Sequence, residues 1–218
     1  MVALSANTAR SVHRHLTVRR FSGILREDGD GKLFGYAADI SSLPRRQVRR
    51  LTYFEKATAA CLTGLGNNLG DTPVVLASRY GDISKTLELL KNVISGELLS
   101  PTSFSLSVHN AAIGTASQIT ANRAGHTAIS AGEHTLNAAL TECWMRLQEN
   151  EDQVILTYAE CRLRDEYAVF GPASSDIHFC LLLERYTDES LSARRLLADD
   201  GPLDLFHAAE AGVKAVSW

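Results

Sequence analysis

The stretch Thr127-Ala-Ile-Ser-Ala-Gly132-Glu-His-Thr-Leu-Asn-Ala-Ala-Leu140 decides the fold. Its first five residues are small or apolar and read as a short strand. Gly132 marks a sharp turn, and the residues after it continue at helical spacing as a helix over 133–148. Strand, turn and helix in that order make an elbow. Such an elbow holds its tip residue on exposed backbone at a helix N-terminus, where the dipole stabilises an anion, and it is a common seat for a nucleophile. Here the tip is Gly132, which has no side chain to react.

Outward from the elbow, Val74-Val-Leu-Ala-Ser78 is a continuous apolar run of the kind buried on both faces of a sheet. Asp82 to Ile94 is an amphipathic helix with an aspartate at its start and Gly96 as its stop. Leu51 to Leu65 has helical spacing and closes at Gly66-Asn-Asn. Ser100-Pro-Thr opens a further segment, Phe104 to Thr120, whose Ser, Ala and Gly content suits close helix packing or backbone near a ligand. Gln153–Ala159 and Ile177–Glu184 read as buried strands, and the chain from Asp188 reads as a helical tail. Leu16 to Leu25 has room for a first strand. Glu27-Asp-Gly-Asp-Gly31 is a turn that lacks the later ligands and closing glutamate of a calcium loop. Strands alternate with helices until two strands follow one another. This order predicts an α/β fold with a mostly parallel sheet layered between helices. Three segments follow: a basic stretch 1–50, a body 51–185 and a helical tail 186–218.

The chain has 218 residues, enough for one large domain with a proper core. Its net charge of −3 gives no global argument for nucleic acid, and no basic–aromatic interleaving or glycine-rich phosphate loop is present. The charge is uneven: residues 1–50 carry ten Lys/Arg against four Asp/Glu, the remainder twelve against twenty-one. A basic N-terminal edge suits an acidic partner such as an acyl carrier protein, or else a solvated leader. Cys61, Cys143, Cys161 and Cys180 lie in apolar contexts without metal-ligand spacing, and read as reduced, buried cysteines. No metal site and no cofactor is expected. No apolar run is long enough to span a bilayer, and the N-terminus lacks a signal-peptide pattern, so a cytoplasmic location is expected.

Four stretches carry a family resemblance: Val75-Leu-Ala-Ser-Arg79-Tyr-Gly-Asp82; Leu98-Leu-Ser-Pro-Thr-Ser-Phe-Ser-Leu-Ser-Val-His-Asn110; Thr127-Ala-Ile-Ser-Ala-Gly-Glu133; and Val154-Ile-Leu-Thr-Tyr-Ala159. Over 51–185 the chain resembles the N-terminal half of β-ketoacyl synthases, of thiolase-like fold. More narrowly, it is similar to the short ketosynthase-like proteins of aryl polyene pigment clusters that act as chain length factors. The resemblance puts the nucleophilic cysteine at Gly132 and leaves no room for the second half, which brings two histidines. Claisen condensation needs a thiolate and groups that stabilise the enolate. The resemblance therefore implies a non-catalytic subunit that pairs with a full-length ketosynthase as a heterodimer, meeting acyl carrier protein through the complex. It implies an interface strand at Thr127, Ala128, Ile129, Ser130 and Ala131, and an acyl tunnel walled near Phe104, Leu106 and Ile113.

Other constellations are weaker. His109 and Asn110 would lie on a small-residue helix facing the elbow, near the tunnel or simply packed. Glu133 and His134 follow Gly132 directly, but adjacent helical residues point about 100° apart and do not converge on one atom. Glu133 is explained by the helix dipole. Ser130-Ala-Gly is not the Gly-x-Ser-x-Gly of a hydrolase elbow. Two alternatives to the accessory subunit stay open: a stand-alone acyl-thioester enzyme using Glu133, His134 or His109, and a homo-oligomeric acyl-binding module.

Overall fold

The computed structural model describes residues 14–26, 33–163, 167, 169, 175–187, 193–196 and 200–218. The Glu27–Gly31 turn lies outside them. In chain order the elements are strands β1 His15–Arg26 and β2 Leu33–Tyr36, then helices α1 Arg45–Val48 and α2 Tyr53–Gly64. Strand β3 Val74–Ala77 leads into helices α3 Ile83–Ser95, α4 Pro101–Ser105 and α5 Ala111–Thr120. Strand β4 His126–Ile129 follows, then helix α6 Thr135–Glu149 and strands β5 Gln153–Glu160, β6 Asp176–Arg185 and β7 Arg194–Arg195. Helix α7 Pro202–Glu210 and strand β8 Ala215–Ser217 close the chain.

Local signals explain the boundaries. Thr52 and Glu55 form a reciprocal capping box at the start of α2. The Asp82 side chain accepts the Lys85 N–H at the start of α3, and Gly96 ends that helix in the left-handed region, φ 71°. Pro101 stands in the first turn of α4, where its missing N–H is no loss, and Ser100 caps it.

The strands form one sheet in the order β4-β3-β5-β6-β1-β8-β7, with β2 also on β1. Pairing is parallel for β3–β4, β3–β5 and β7–β8, and antiparallel for β5–β6, β1–β6, β1–β2 and β1–β8. The α/β class is as expected, but the sheet is mixed rather than mostly parallel. Two strands without a helix between them, β5 and β6, pair antiparallel, and the N-terminal β1 then inserts antiparallel between β6 and β8. The tail is not wholly helical. Ala215-Val-Ser217 is buried and pairs with β1, an apolar fit that Ala-rich composition hides.

Apolar side chains fill both faces of the sheet. On one face Leu16, Phe21, Val75, Leu156, Phe179 and Leu181 pack under α6 and α7. On the other, Ile24, Leu76, Ile155 and Leu182 pack under α2 and α5. Cys61, Cys143 and Cys180 are buried and Cys161 is half-buried, all as free thiols. Among the described residues no helix is long and apolar enough to cross a membrane.

Candidate functional site at the elbow

The parallel strands β4, β3 and β5 end side by side, and the elbow stands at their C-terminal ends, the usual position for a site in an α/β sheet. β4 ends at Ile129, so Ser130 and Ala131 belong to the turn and not to the strand. Gly132 opens a single 3-10 turn to His134 before α6 begins. Its φ is +59°, a conformation that favours glycine, and a Cβ built there meets nothing within 4 Å. The tip therefore faces open space.

Polar contacts hold the turn. The Thr135 hydroxyl donates to the Gly132 carbonyl (2.7 Å) and accepts the Ala131 N–H (2.9 Å). The Ser130 hydroxyl donates to the Arg79 carbonyl at 2.9 Å, tying the elbow to the loop after β3. That loop is fixed in turn from β5: the Arg79 N–H donates to Glu160 Oε2 at 2.7 Å. Gly81, φ +61°, donates its N–H to Ser78 Oγ at 2.9 Å.

A cavity of about 230 Å3 lies under the tip, lined by Arg79, Gly132, Leu136, Tyr158, Glu160 and Ile177 among others. Glu133 stands exposed at its rim. Burial pushes the Glu160 carboxyl up to about 7, against the lowering effect of the Arg79 and Tyr80 backbone amides and the Arg79 charge. The Tyr158 hydroxyl is also raised, first by burial and then by Glu160.

The structure brings together only part of the set read from sequence. Gly132 and Glu133 line the cavity, whereas His134 is exposed and outside it. His109 and Asn110 do not sit within a helix facing the elbow. They fall in the break between α4 and α5, where Asn110 is the residue before α5. The His109 ring instead covers Gly81, whose Cβ would stand 3.1 Å from His109 Nδ1. Ile113 is fully buried among the core residues under α5, and Leu106 is half-buried. Phe104 is 61% exposed. Thr127, Ala128 and Ile129 lie on β4 at the edge of the sheet, with β3 as the strand's one neighbour among the described residues.

Arg79, Thr135, Tyr158 and Glu160 have no role in the sequence reading. The signal for Glu160 is its position, a carboxylate closing an otherwise apolar strand. The others gain their meaning from contacts across the fold.

The layered sheet, with an elbow at the ends of its parallel strands, defines a ketosynthase-type half fold. A profile of the β-ketoacyl synthase, N-terminal domain family matches residues 32–204, and the chain belongs to that family. No curated protein shows a significant sequence match. Among solved structures, a chain of the ketosynthase ApeO in complex with its chain length factor ApeC from Xenorhabdus doucetiae superposes with a TM-score of 0.74 at 20% identity. That match covers 90% of this chain and 92% of the other. The ishigamide ketosynthase/chain length factor gives 0.59 at 14% identity over 81% of this chain, and a β-ketoacyl synthase from Burkholderia phymatum 0.59 at 12% over 93%. This chain spans 63% and 62% of those two proteins. At these identities the likeness establishes a shared fold, the expected thiolase-like half.

Proposed function

We propose that this protein is a non-catalytic, chain-length-factor-type subunit that pairs with a full-length β-ketoacyl-ACP synthase. One observation carries the reading: the elbow is built in full, with its left-handed tip and open space at the tip, yet the tip residue is Gly132. An acyl chain has no thiol there to which it can be transferred.

Two surface features support a partner. Among the described residues β4 is an edge strand, and an unpaired edge is a template for another chain. From α3 to the residues just after α4 the chain exposes Leu90, Val93, Ile94, Leu98, Phe104 and Val108, apolar side chains that a partner would cover. In the proposed complex the ketosynthase covers both. Phe104 and Leu106 then stand against the partner's acyl tunnel and limit its depth, a steric control of the number of extension cycles. The product class is a polyene or polyketide of the aryl polyene type, made in the cytoplasm. Arg45, Arg46, Arg49 and Arg50 are exposed on and just after α1, and give an acidic acyl carrier protein a place to dock.

The test is product length in a reconstituted complex. Phe104→Ala and Leu106→Ala together deepen the tunnel and shift products to longer chains. An unchanged product distribution from an active complex overturns the tunnel-wall role.

A further inference from the structure

Phe104 is 61% exposed, so its own packing does not fix its place. That place is set by whatever holds the backbone of α4. The helix has only five residues, Pro101–Ser105, and so short a helix is not stable on its own. The carbonyls at a helix C-terminus lack partners within the helix, and the Leu106 carbonyl stands at the C-cap of α4.

Lys85 of α3 supplies the missing partner. Its Nζ donates to the Leu106 carbonyl oxygen at 3.2 Å, and a lysine in this position is a known way to satisfy the last carbonyls of a helix. The same ammonium stands 3.1 Å from Glu55 Oε2 and 3.9 Å from Asp82 Oδ2, and all three side chains are buried or nearly so. The two carboxylates therefore keep it aimed at α4. They are fixed in turn by Thr52, whose N–H donates to Glu55 Oε2 at 2.9 Å and whose hydroxyl donates to Asp82 Oδ2 at 2.6 Å. A second contact holds the far side of the break between α4 and α5. There the His109 ring covers Gly81, just before the Asp82 cap of α3. The segment that follows Phe104 is thus docked twice on the start of α3.

We propose that Lys85 is a positioning residue for chain length: by holding the Leu106 carbonyl it sets how far Phe104 and Leu106 reach toward the partner's acyl tunnel. The proposal rests on the accessory-subunit reading. Without that bond α4 yields to the growing acyl chain, and the wall recedes.

The test compares Glu55→Gln with the double variant Lys85→Met, Glu55→Gln. Glu55→Gln keeps an oxygen for the Thr52 N–H. Adding Lys85→Met removes the ammonium without stranding a charge at position 55, while Asp82 keeps the Thr52 hydroxyl and the residue-85 backbone N–H as donors. Thermal melts by circular dichroism check the fold, and Lys85→Leu takes the place of Lys85→Met if the first pair does not fold. Hydrogen exchange in the full chain, at low micromolar concentration, is followed by mass spectrometry. The amides read are those of Phe104, Leu106 and Ser107, each bonded to a carbonyl of the same short helix or its cap. In the double variant they exchange at least about 10-fold faster than in Glu55→Gln, the effect of losing a hydrogen bond from a charged donor. Exchange in α7, on the opposite face of the sheet, stays the same. In complex with a full-length ketosynthase the double variant gives longer and more varied products than Glu55→Gln. Equal exchange at α4 in the two variants overturns the proposal. So do unchanged products from a complex that does respond to Phe104→Ala with Leu106→Ala. Either result leaves the accessory-subunit reading standing. If the alanine pair itself leaves product length unchanged, the tunnel-wall reading fails, and the role of Lys85 in chain length is overturned with it.

Discussion

Replacing Gly132 with cysteine asks directly whether the elbow is intact. A Cβ at this position meets no atom within 4 Å, so the substitution carries no steric clash. The φ of +59° is the whole of the strain. For an L-residue in that region it is about 1–2 kcal/mol. Loss of glycine's freedom in the unfolded chain offsets about 0.4–1 kcal/mol of it. The net destabilisation is therefore about 0–1.6 kcal/mol. For a chain of this length 1 kcal/mol lowers Tm by about 2–4 °C, so Gly132→Cys melts no more than about 6 °C below wild type. The introduced thiol stands exposed before α6, where the helix end favours the thiolate. The native thiols are different: Cys61 is fully buried and raised, and burial pushes Cys180 up to about 12. Iodoacetamide labelling followed by mass spectrometry should alkylate the new site well before any native cysteine. A labelling rate no greater than that of Cys61, or a Tm loss beyond about 10 °C, refutes the elbow geometry.

Three further outcomes follow from the packing. Lys85 bridges Glu55 (3.1 Å) and Asp82 (3.9 Å) in a buried cluster and donates to the Leu106 carbonyl after α4; Lys85→Met strands two buried carboxylates and lowers urea stability by about 3–5 kcal/mol. Gly64 has no room for a side chain, since its Cβ would stand 2.2 Å from the Ala37 carbonyl oxygen and Ser22 Oγ; Gly64→Ala forces α2 off the sheet and costs about 1–3 kcal/mol in the same assay, in contrast to Gly132. His178 is fully buried, and burial alone lowers its imidazole from 6.5 to about 3; its contribution is complete above its unfolded value and is lost as pH falls toward 3, so the unfolding free energy from urea titration falls with acid over that window, by up to about 1.4 kcal/mol per pH unit, and His178→Leu has a shallower slope.

Much of the architecture is written in short-range pattern. Val74–Ala77 and Gln153–Glu160 are legible because a strand buried on both faces is continuously apolar, and α3 because Asp82 and Gly96 punctuate an amphipathic stretch. The break between α4 and α5 is not, because Leu106 to Asn110 has no glycine or proline to mark it. Sheet direction is equally hidden: that β1 lies between β6 and β8 depends on pairing across most of the chain. Within the site, Gly132 stands out from its own neighbours in sequence. Glu160 and Arg79 meet across 81 positions, and Ser130 reaches Arg79 across 51, so no local reading joins them. His109 invites a functional reading from its sequence, and its contact with Gly81, 28 positions away, is as little visible there.

The missing nucleophile at Gly132 and the edge that β4 leaves open among the described residues both call for a partner, and the direct test is mass in solution. Size-exclusion chromatography with light scattering on this 23.7 kDa chain, alone and co-expressed with a full-length ketosynthase, measures it. The account predicts a stable one-to-one complex with the ketosynthase, and poor solubility or aggregation of the chain on its own. A well-behaved homodimer that ignores the ketosynthase would contradict it.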